Sequence, residues 1–232
     1  MAAIVWDTIG ERFFELGVDH GVLYPYDATT KAYSSGVAWN GLTSVSESPS
    51  GADANKVYAD NINYFTLYGA EEFGATVEAY TYPDEFAECD GSAAPITGVL
   101  VGQQPRKAFG LSYRTKVGND TVGQDLAYKL HLIYGCRASP SDRSYETIND
   151  SPEAITFSWE LTTTPVPVTG FKPTATLIID SRDFSTEPAK AKLTKLENIL
   201  YGTDGTETGT GINAPGPRLP MPDDVIKILS AA

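Results

Sequence analysis

The 232-residue chain is poor in the residues that most often carry chemistry, with two cysteines, Cys89 and Cys136, and two histidines, His20 and His131. Two cysteines outside a CxxC pair make no disulfide framework. They read as buried, reduced thiols, with one bridge between them allowed. Neither histidine lies in HExxH or another close metal-ligand spacing, so His131 is expected as a core or strand-surface residue and no metal site is indicated. No GxGxxG or GxxxxGK[ST] offers a phosphate cradle, no GxSxG marks a nucleophile elbow, and nothing local supports a Ser-His-Asp triad. No catalytic residue, cofactor or metal is therefore expected. Long apolar runs are missing as well. Ala2–Trp6 is far short of the about 20 residues a membrane helix needs. The N-terminus has no basic region followed by an apolar one, so no secretory signal is expected.

Basic residues are scarce. Lys and Arg total 17 against 30 Asp and Glu, a formal charge of −13. The shortage is local: residues 1–100 hold 15 acids and only Arg12, Lys31 and Lys56, a net −12, while the remainder is −1. Such a chain is ill suited to wrapping nucleic acid, which needs clustered cations to displace counterions. The asymmetry suits a surface that faces a polyanion without holding it, or a contact between unlike faces. A solvated face is the simpler reading. Glu71, Glu72, Glu78, Asp84, Glu85, Glu88 and Asp90 form the one acid cluster that could supply paired carboxylates for glycoside hydrolysis. A run of acids without a base reads more readily as charged surface.

What the chain does have is short β-type segments between turn signals, with 13 Tyr and 21 Gly. Val37-Ala38-Trp39 runs into Asn40-Gly41, the dipeptide of a tight hairpin, and then into Leu42–Glu47. Further strands are expected at Lys56–Asp60, Tyr64–Tyr68, Phe73–Tyr82, Phe109–Val117, Leu126–Tyr134, Ile155–Leu161 and Ala175–Ile179. In Phe73–Tyr82 the residues Phe73, Ala75, Val77 and Ala79 share one side. Pro83–Cys89 reads as one or two helical turns. Pro188–Tyr201 reads as a helix with a stripe of Ala189, Leu193, Leu196 and Leu200, capped by Ser185 or Thr186 and stopped by Gly202. Thr203–Pro222, with four Gly and four Pro, reads as a flexible arm. The apolar tail behind it is expected to dock on a neighbouring subunit.

Five stretches in this order resemble the major tail proteins of long, non-contractile-tailed bacteriophages: Tyr58–Tyr64, Tyr82–Gly91, Phe157–Gly170, Thr174–Ser181 and Leu219–Ile226. The resemblance runs from about Gly36 to the end. It implies a mainly β tail-tube fold: a sandwich or barrel of two antiparallel sheets with a flanking helix and extended terminal arms. Residues 1–35 would be an N-terminal arm, 36–202 the β domain and 203–232 a C-terminal arm. Such subunits form stacked hexameric rings, each lending a four-stranded sheet to a continuous inner barrel. The implied partners are copies of the chain itself, a tape-measure protein, tail-end proteins and DNA sliding through the bore without specific binding, with no membrane. The implied location is the virion, after synthesis in the host bacterial cytoplasm.

By position, the ring-stacking loop is expected at Ser48, Pro49, Ser50, Gly51, Ala52, Asp53, Ala54 and Asn55. The inner wall is expected at Lys56–Tyr68 and Phe73–Tyr82, with Asp60 and Glu78 as lumen acids. Pro222, Val225, Ile226, Ile228 and Leu229 would form the C-terminal arm. An acidic wall repels phosphate and lets DNA slide, where a basic one traps it. A competing reading is a carbohydrate-binding β-sandwich on a virion or cell surface, stacking sugars on Tyr80, Tyr82 and Trp159. A third is a small hydrolase built on Glu85 and Glu88.

Overall fold

The alternating stretches become strands of a largely antiparallel, strongly curled sheet. The structure, a computed structural model, describes residues 3–33, 35–148, 150–151, 153–203 and 216–230. The first strands are β1 (Phe13–Asp27), β2 (Ala32–Tyr33), β3 (Val37–Ala38), β4 (Leu42–Glu47) and β5 (Ser50–Gly51). Next come β6 (Ala54–Ala59), β7 (Ile62–Tyr68), β8 (Glu71–Glu72) and β9 (Gly74–Ala79). A 3-10 turn at Asp84–Glu88 leads to β10 (Ala93–Ile96) and β11 (Val99–Val101). Then follow β12 (Phe109–Asn119), β13 (Gly123–Ala138), β14 (Phe157–Thr163) and β15 (Thr176–Asp180). The helices are α1 (Glu187–Tyr201) and α2 (Pro222–Ser230).

The main sheet runs β2-β1-β12-β13-β14-β9-β4, with β3 on the second edge of β1. β13 is long enough to hold two neighbours on one edge, β15 against residues 129–133 and β14 against residues 136–138. The Asn40-Gly41 turn forms, with Gly41 at φ +75°, but not as the expected hairpin. β3 pairs with β1 and β4 pairs with β9, so the turn carries the chain across a seam and curls the sheet on itself. Trp39 holds the seam: its amide donates to the Gly21 carbonyl at 2.8 Å and its indole N–H to the Thr81 carbonyl at 3.0 Å.

Because side chains alternate across a strand, each central strand feeds two cores. Inside the curl, Trp39, Phe86, Phe109, Leu111, Ile133 and Trp159 pack with Ala79 and Val77. On the other face, Leu130, Leu132 and Tyr134 of β13 meet Leu193, Leu196, Ile199 and Leu200 of α1 and Val225 and Ile228 of α2. Burying one such side chain fully stabilises by about 1.5–3 kcal/mol. The expected period of β9 is present, with Ala75, Val77 and Ala79 all buried. α1 starts at Thr186, which occupies the cap position without a side-chain cap bond, and stops at Gly202 with φ +81°.

Both ends of the chain depart from the expected arms. Phe13–Asp27, expected within an N-terminal arm, pairs along the length of β12 and is part of the main sheet. The tail does not extend away. Asp223 and Asp224 open the first turn of α2, where free amides favour negative charge, and Val225 and Ile228 face the core. Asp223 also accepts from the Thr169 amide and hydroxyl, at 2.9 and 2.7 Å. Pro222, Val225 and Ile228, expected in a C-terminal arm, are thus buried against their own chain; Ile226 is exposed and Leu229 partly covered. Most of the tract expected to be a flexible arm, 204–215, lies outside the described residues.

Candidate assembly surfaces

Four strands continue side by side beyond the curl: the first half of β1, the second half of β12, the first half of β13, and β15. They run antiparallel in the order β1-β12-β13-β15. One face is covered, since Leu130, Leu132, Leu177 and Ile179 pack toward α1. The register puts Glu15, Thr115, Lys129, His131, Ile178 and Asp180 on the opposite face. That face is polar toward its open end. Glu15 is ion-paired with Lys129, and Ile178 is 52% exposed. Arg182 forks onto Asp180 and lies 4.6 Å from the Phe13 ring centroid. The Arg182 hydrogen bond holds the Asp180 carboxyl below the ordinary range. Among the described residues neither outer edge of this four-stranded sheet is paired. β15 has β13 alone, and β1 gains a second strand neighbour only from Val22 onward.

Where this sheet enters the curl, a polar cluster sits among apolar neighbours. The Tyr113 hydroxyl donates to Glu47 Oε1 at 2.6 Å, and the same oxygen is 3.3 Å from His131 Nδ1. His131 Nε2 is 3.0 Å from the Thr115 hydroxyl, and its ring stacks on Tyr113 at 4.6 Å. Burial pushes the imidazole pKa down, against the charge of Glu47, and burial first and Glu47 second push the Tyr113 phenol up. On the helix side, Asp19 accepts from Arg114 at 3.0 Å and lies 2.8 Å from His20. Burial opposes the Asp19 carboxylate, but these neighbours outweigh it and keep the group ionised below its usual range.

Two hairpins leave the main sheet altogether. Among the described residues β6 and β7 pair only with each other, as do β10 and β11. In the first, Phe65 is 46% exposed and Leu67 53%, with Tyr58, Ile62, Tyr64 and Tyr68 still more open. In the second, Ile96, Val99, Leu100 and Val101 are all exposed. Ile4, Val5, Trp6 and Ile9 near the N-terminus are exposed too. Patches of this kind on a soluble protein mark interaction surfaces.

The expected stacking loop falls at the base of the first hairpin. Ser50–Gly51 pairs with Glu71–Glu72, Ala54 and Asn55 open β6, and Ser48, Pro49, Ala52 and Asp53 are exposed around them. Asp60 sits in the β6–β7 turn at φ +52°. Glu78 lies on β9, where it accepts from Ser44 at 2.9 Å. Neither acid is on the four-stranded sheet. The sugar platform does not form, because Trp159 is 1% exposed and packs against Phe86 and Phe157 while Tyr80 is on the surface. Glu85 is exposed on the 3-10 turn, and Glu88 is ion-paired with Lys107 at 2.5 Å. Cys89 and Cys136 are free and buried, and burial raises both thiols, Cys89 to about 12. Among the described residues no group of three or more His, Cys, Asp or Glu side chains could hold a metal ion, and no helix is long and apolar enough to cross a membrane.

The sequence reading missed β1 and the β10–β11 hairpin. The second carried a signal: Ala93–Val101 is uncharged and has a Thr97-Gly98 turn between two apolar runs.

No protein-family model and no curated protein matches the sequence. Solved structures resemble this chain only distantly. A chain of the PVC sheath-tube complex of an extracellular contractile injection system, in the extended state, aligns with 14% identity and TM-score 0.30, covering 75% of this chain and 93% of that one. The tube-terminating cap of the anti-feeding prophage aligns with 14% identity and TM-score 0.31, over 78% and 95%. A chain of the anti-feeding prophage baseplate aligns with 8% identity and TM-score 0.30, over 76% and 97%. Scores at this level do not establish a common fold.

Proposed function

We propose that this chain is a structural, self-assembling subunit of a phage-type tail tube, and that it completes its sheet with copies of itself. The observation that carries the reading is the four-stranded sheet β1-β12-β13-β15, covered by helices on one face and, among the described residues, unpaired at both edges. A strand edge left open is a template for another chain. The strand number makes closure natural. With an even count of antiparallel strands, β15 of one copy meets β1 of the next in antiparallel sense, so a ring of copies closes into one barrel with no edge left over. The sequence resemblance supports a hexamer and stacked rings.

On this reading the bore is lined by the uncovered face that carries Glu15, Thr115, Lys129 and Asp180. That moves the wall away from β6–β7 and β9, where position alone had put Asp60 and Glu78. The face holds both signs, so any acidic character of the bore comes from the subunit as a whole. The loop Ser48–Asn55 and its hairpin belong to the joint between rings. The tape-measure protein, the tail-end proteins and passing DNA remain the partners proposed from the resemblance, and the virion the proposed location.

Negative-stain microscopy of the concentrated protein tests the proposal, with rings or tubes as the expected result. Particles that stay monomeric at every salt and protein concentration, with the chain folded, overturn it. With Trp159 in the core, the sugar-binding reading loses its largest stacking ring, and tube assembly is the better account.

A further inference from the structure

Resting on the tube reading, we infer that the β6–β7 hairpin of one copy packs its apolar face on the β10–β11 hairpin of a second copy, forming the dry part of the joint between them. Each hairpin presents an apolar face by register, and in β10–β11 Leu100 lies on the other face. In β6–β7 the pair Val57 and Phe65 adjoins Leu67, which stands opposite Asn55. In β10–β11 the pair Ile96 and Val99 adjoins Val101, which stands opposite Ala93.

Among the described residues neither face is covered by its own chain, although Val57 is half-buried. The large side chains are 44–66% exposed in Phe65, Leu67, Ile96, Val99 and Val101, so the two hairpins do not cover each other within one molecule. An isolated two-stranded hairpin is marginal in water and gains stability from packing against a further layer. The match of chemistry selects the occupant. Ala93–Val101 carries no charge in nine residues, within a chain whose first hundred residues are strongly acidic. Its partner must therefore present an uncharged apolar face, and the Val57-Phe65-Leu67 face does, with Lys56 pointing off it and Asp60 confined to the turn. The exposed segment around Ile4–Ile9 is a poorer match, because Asp7 interrupts it and it has no sheet face to stack. Two sheets that meet face to face pack about 10 Å apart and interdigitate their side chains. The contact joins unlike surfaces, so it repeats along an axis instead of closing on a dimer. A stable interface buries on the order of 1,000 Å² or more, so the hairpins form the centre of a larger joint that includes the loop Ser48–Asn55.

Mixed crosslinking tests the pairing. Leu67→Cys and Ile96→Cys are made as separate proteins, mixed, allowed to assemble and mildly oxidised. Native Cys89 and Cys136 are buried with raised thiol pKa values and stay silent. The expected result is a mixed disulfide several-fold more abundant than either homodimer. An Ile96→Cys homodimer of equal yield, or tubes that form normally with no mixed product, overturns the inference and leaves the tube reading standing. Wild-type protein that never assembles overturns both. As a second measure, Val99→Asp at this exposed site is expected to keep the monomer's circular dichroism and melting while abolishing assembly. Undiminished assembly of that variant also overturns the pairing.

Discussion

His131 shows how a single residue records its surroundings. It is 7% exposed, stacked on Tyr113, with Thr115 on one nitrogen and Glu47 beyond hydrogen-bond geometry on the other. Burial favours the neutral ring and lowers its pKa from the usual 6.5 or so, while Glu47, Glu15 and the opposing Lys129 modulate the effect. The folded protein then binds fewer protons than the unfolded chain just below that value. The stabilisation is fully present above about pH 6.5 and declines as pH falls toward the folded-state pKa. Melting temperature is expected to drop between pH 7.5 and 5.5, and to drop less in His131→Gln, as followed by circular dichroism. The lowered carboxyls of Asp19 and Asp180 act in a separate window, losing their contribution only as pH falls below about 4. An equal drop in the variant and the wild type would mean that His131 does not report its burial.

At the scale of elements, legibility followed the regularity of the pattern. β9 keeps strict alternation through Ala75, Val77 and Ala79, and α1 keeps its stripe through Leu193, Leu196 and Leu200, so sequence alone placed both within a few residues. β1 was hidden for a physical reason. Its register slips between Leu16 and Asp19 and again between Asp19 and Val22, with Gly17 and His20 at positive φ. Each bulge inserts an extra residue and switches the side facing the core, which breaks the period of two that identifies a strand. α2 was hidden by its neighbourhood: a short amphipathic run after a Gly- and Pro-rich tract reads as a frayed end until the core it covers is known. The candidate site was the least legible level, because strand edges are defined by which strands pair, and pairing is not local in sequence. The packed tail makes a stability prediction. Ile228→Ala, at a site 4% exposed, is expected to cost about 2–5 kcal/mol. Chemical denaturation would register this as a lower midpoint with an unchanged slope. If α2 were only an assembly arm, the same change would weaken assembly and leave monomer stability untouched.

At the scale of the whole molecule, the proposed assembly brings together copies that each carry a net charge of −13. At long range such subunits repel, and the excess negative charge lies in the first hundred residues, where few bases offset the acids and where the β6–β7 hairpin, most of the β10–β11 hairpin and the loop between β4 and β6 are found. The attractive terms proposed here are strand pairing at two edges and apolar contact between hairpins. Neither weakens in ordinary salt, and apolar burial strengthens in sulfate or phosphate. Repulsion between exposed charges does weaken, since the Debye length falls from about 10 Å at 0.1 M to about 3 Å at 1 M. Assembly is therefore expected to increase with ionic strength, which sedimentation or light scattering at fixed protein concentration can follow from 0.05 to about 1 M sodium chloride. The opposite trend has a distinct meaning. Assembly that falls as salt rises would show that copies are held by unlike charges, for instance an acidic loop of one against the Arg106 and Arg143 pair around Asp90 of the next. The hairpin contact would then be a minor part of the joint, and Val99→Asp would shift the salt midpoint without abolishing assembly.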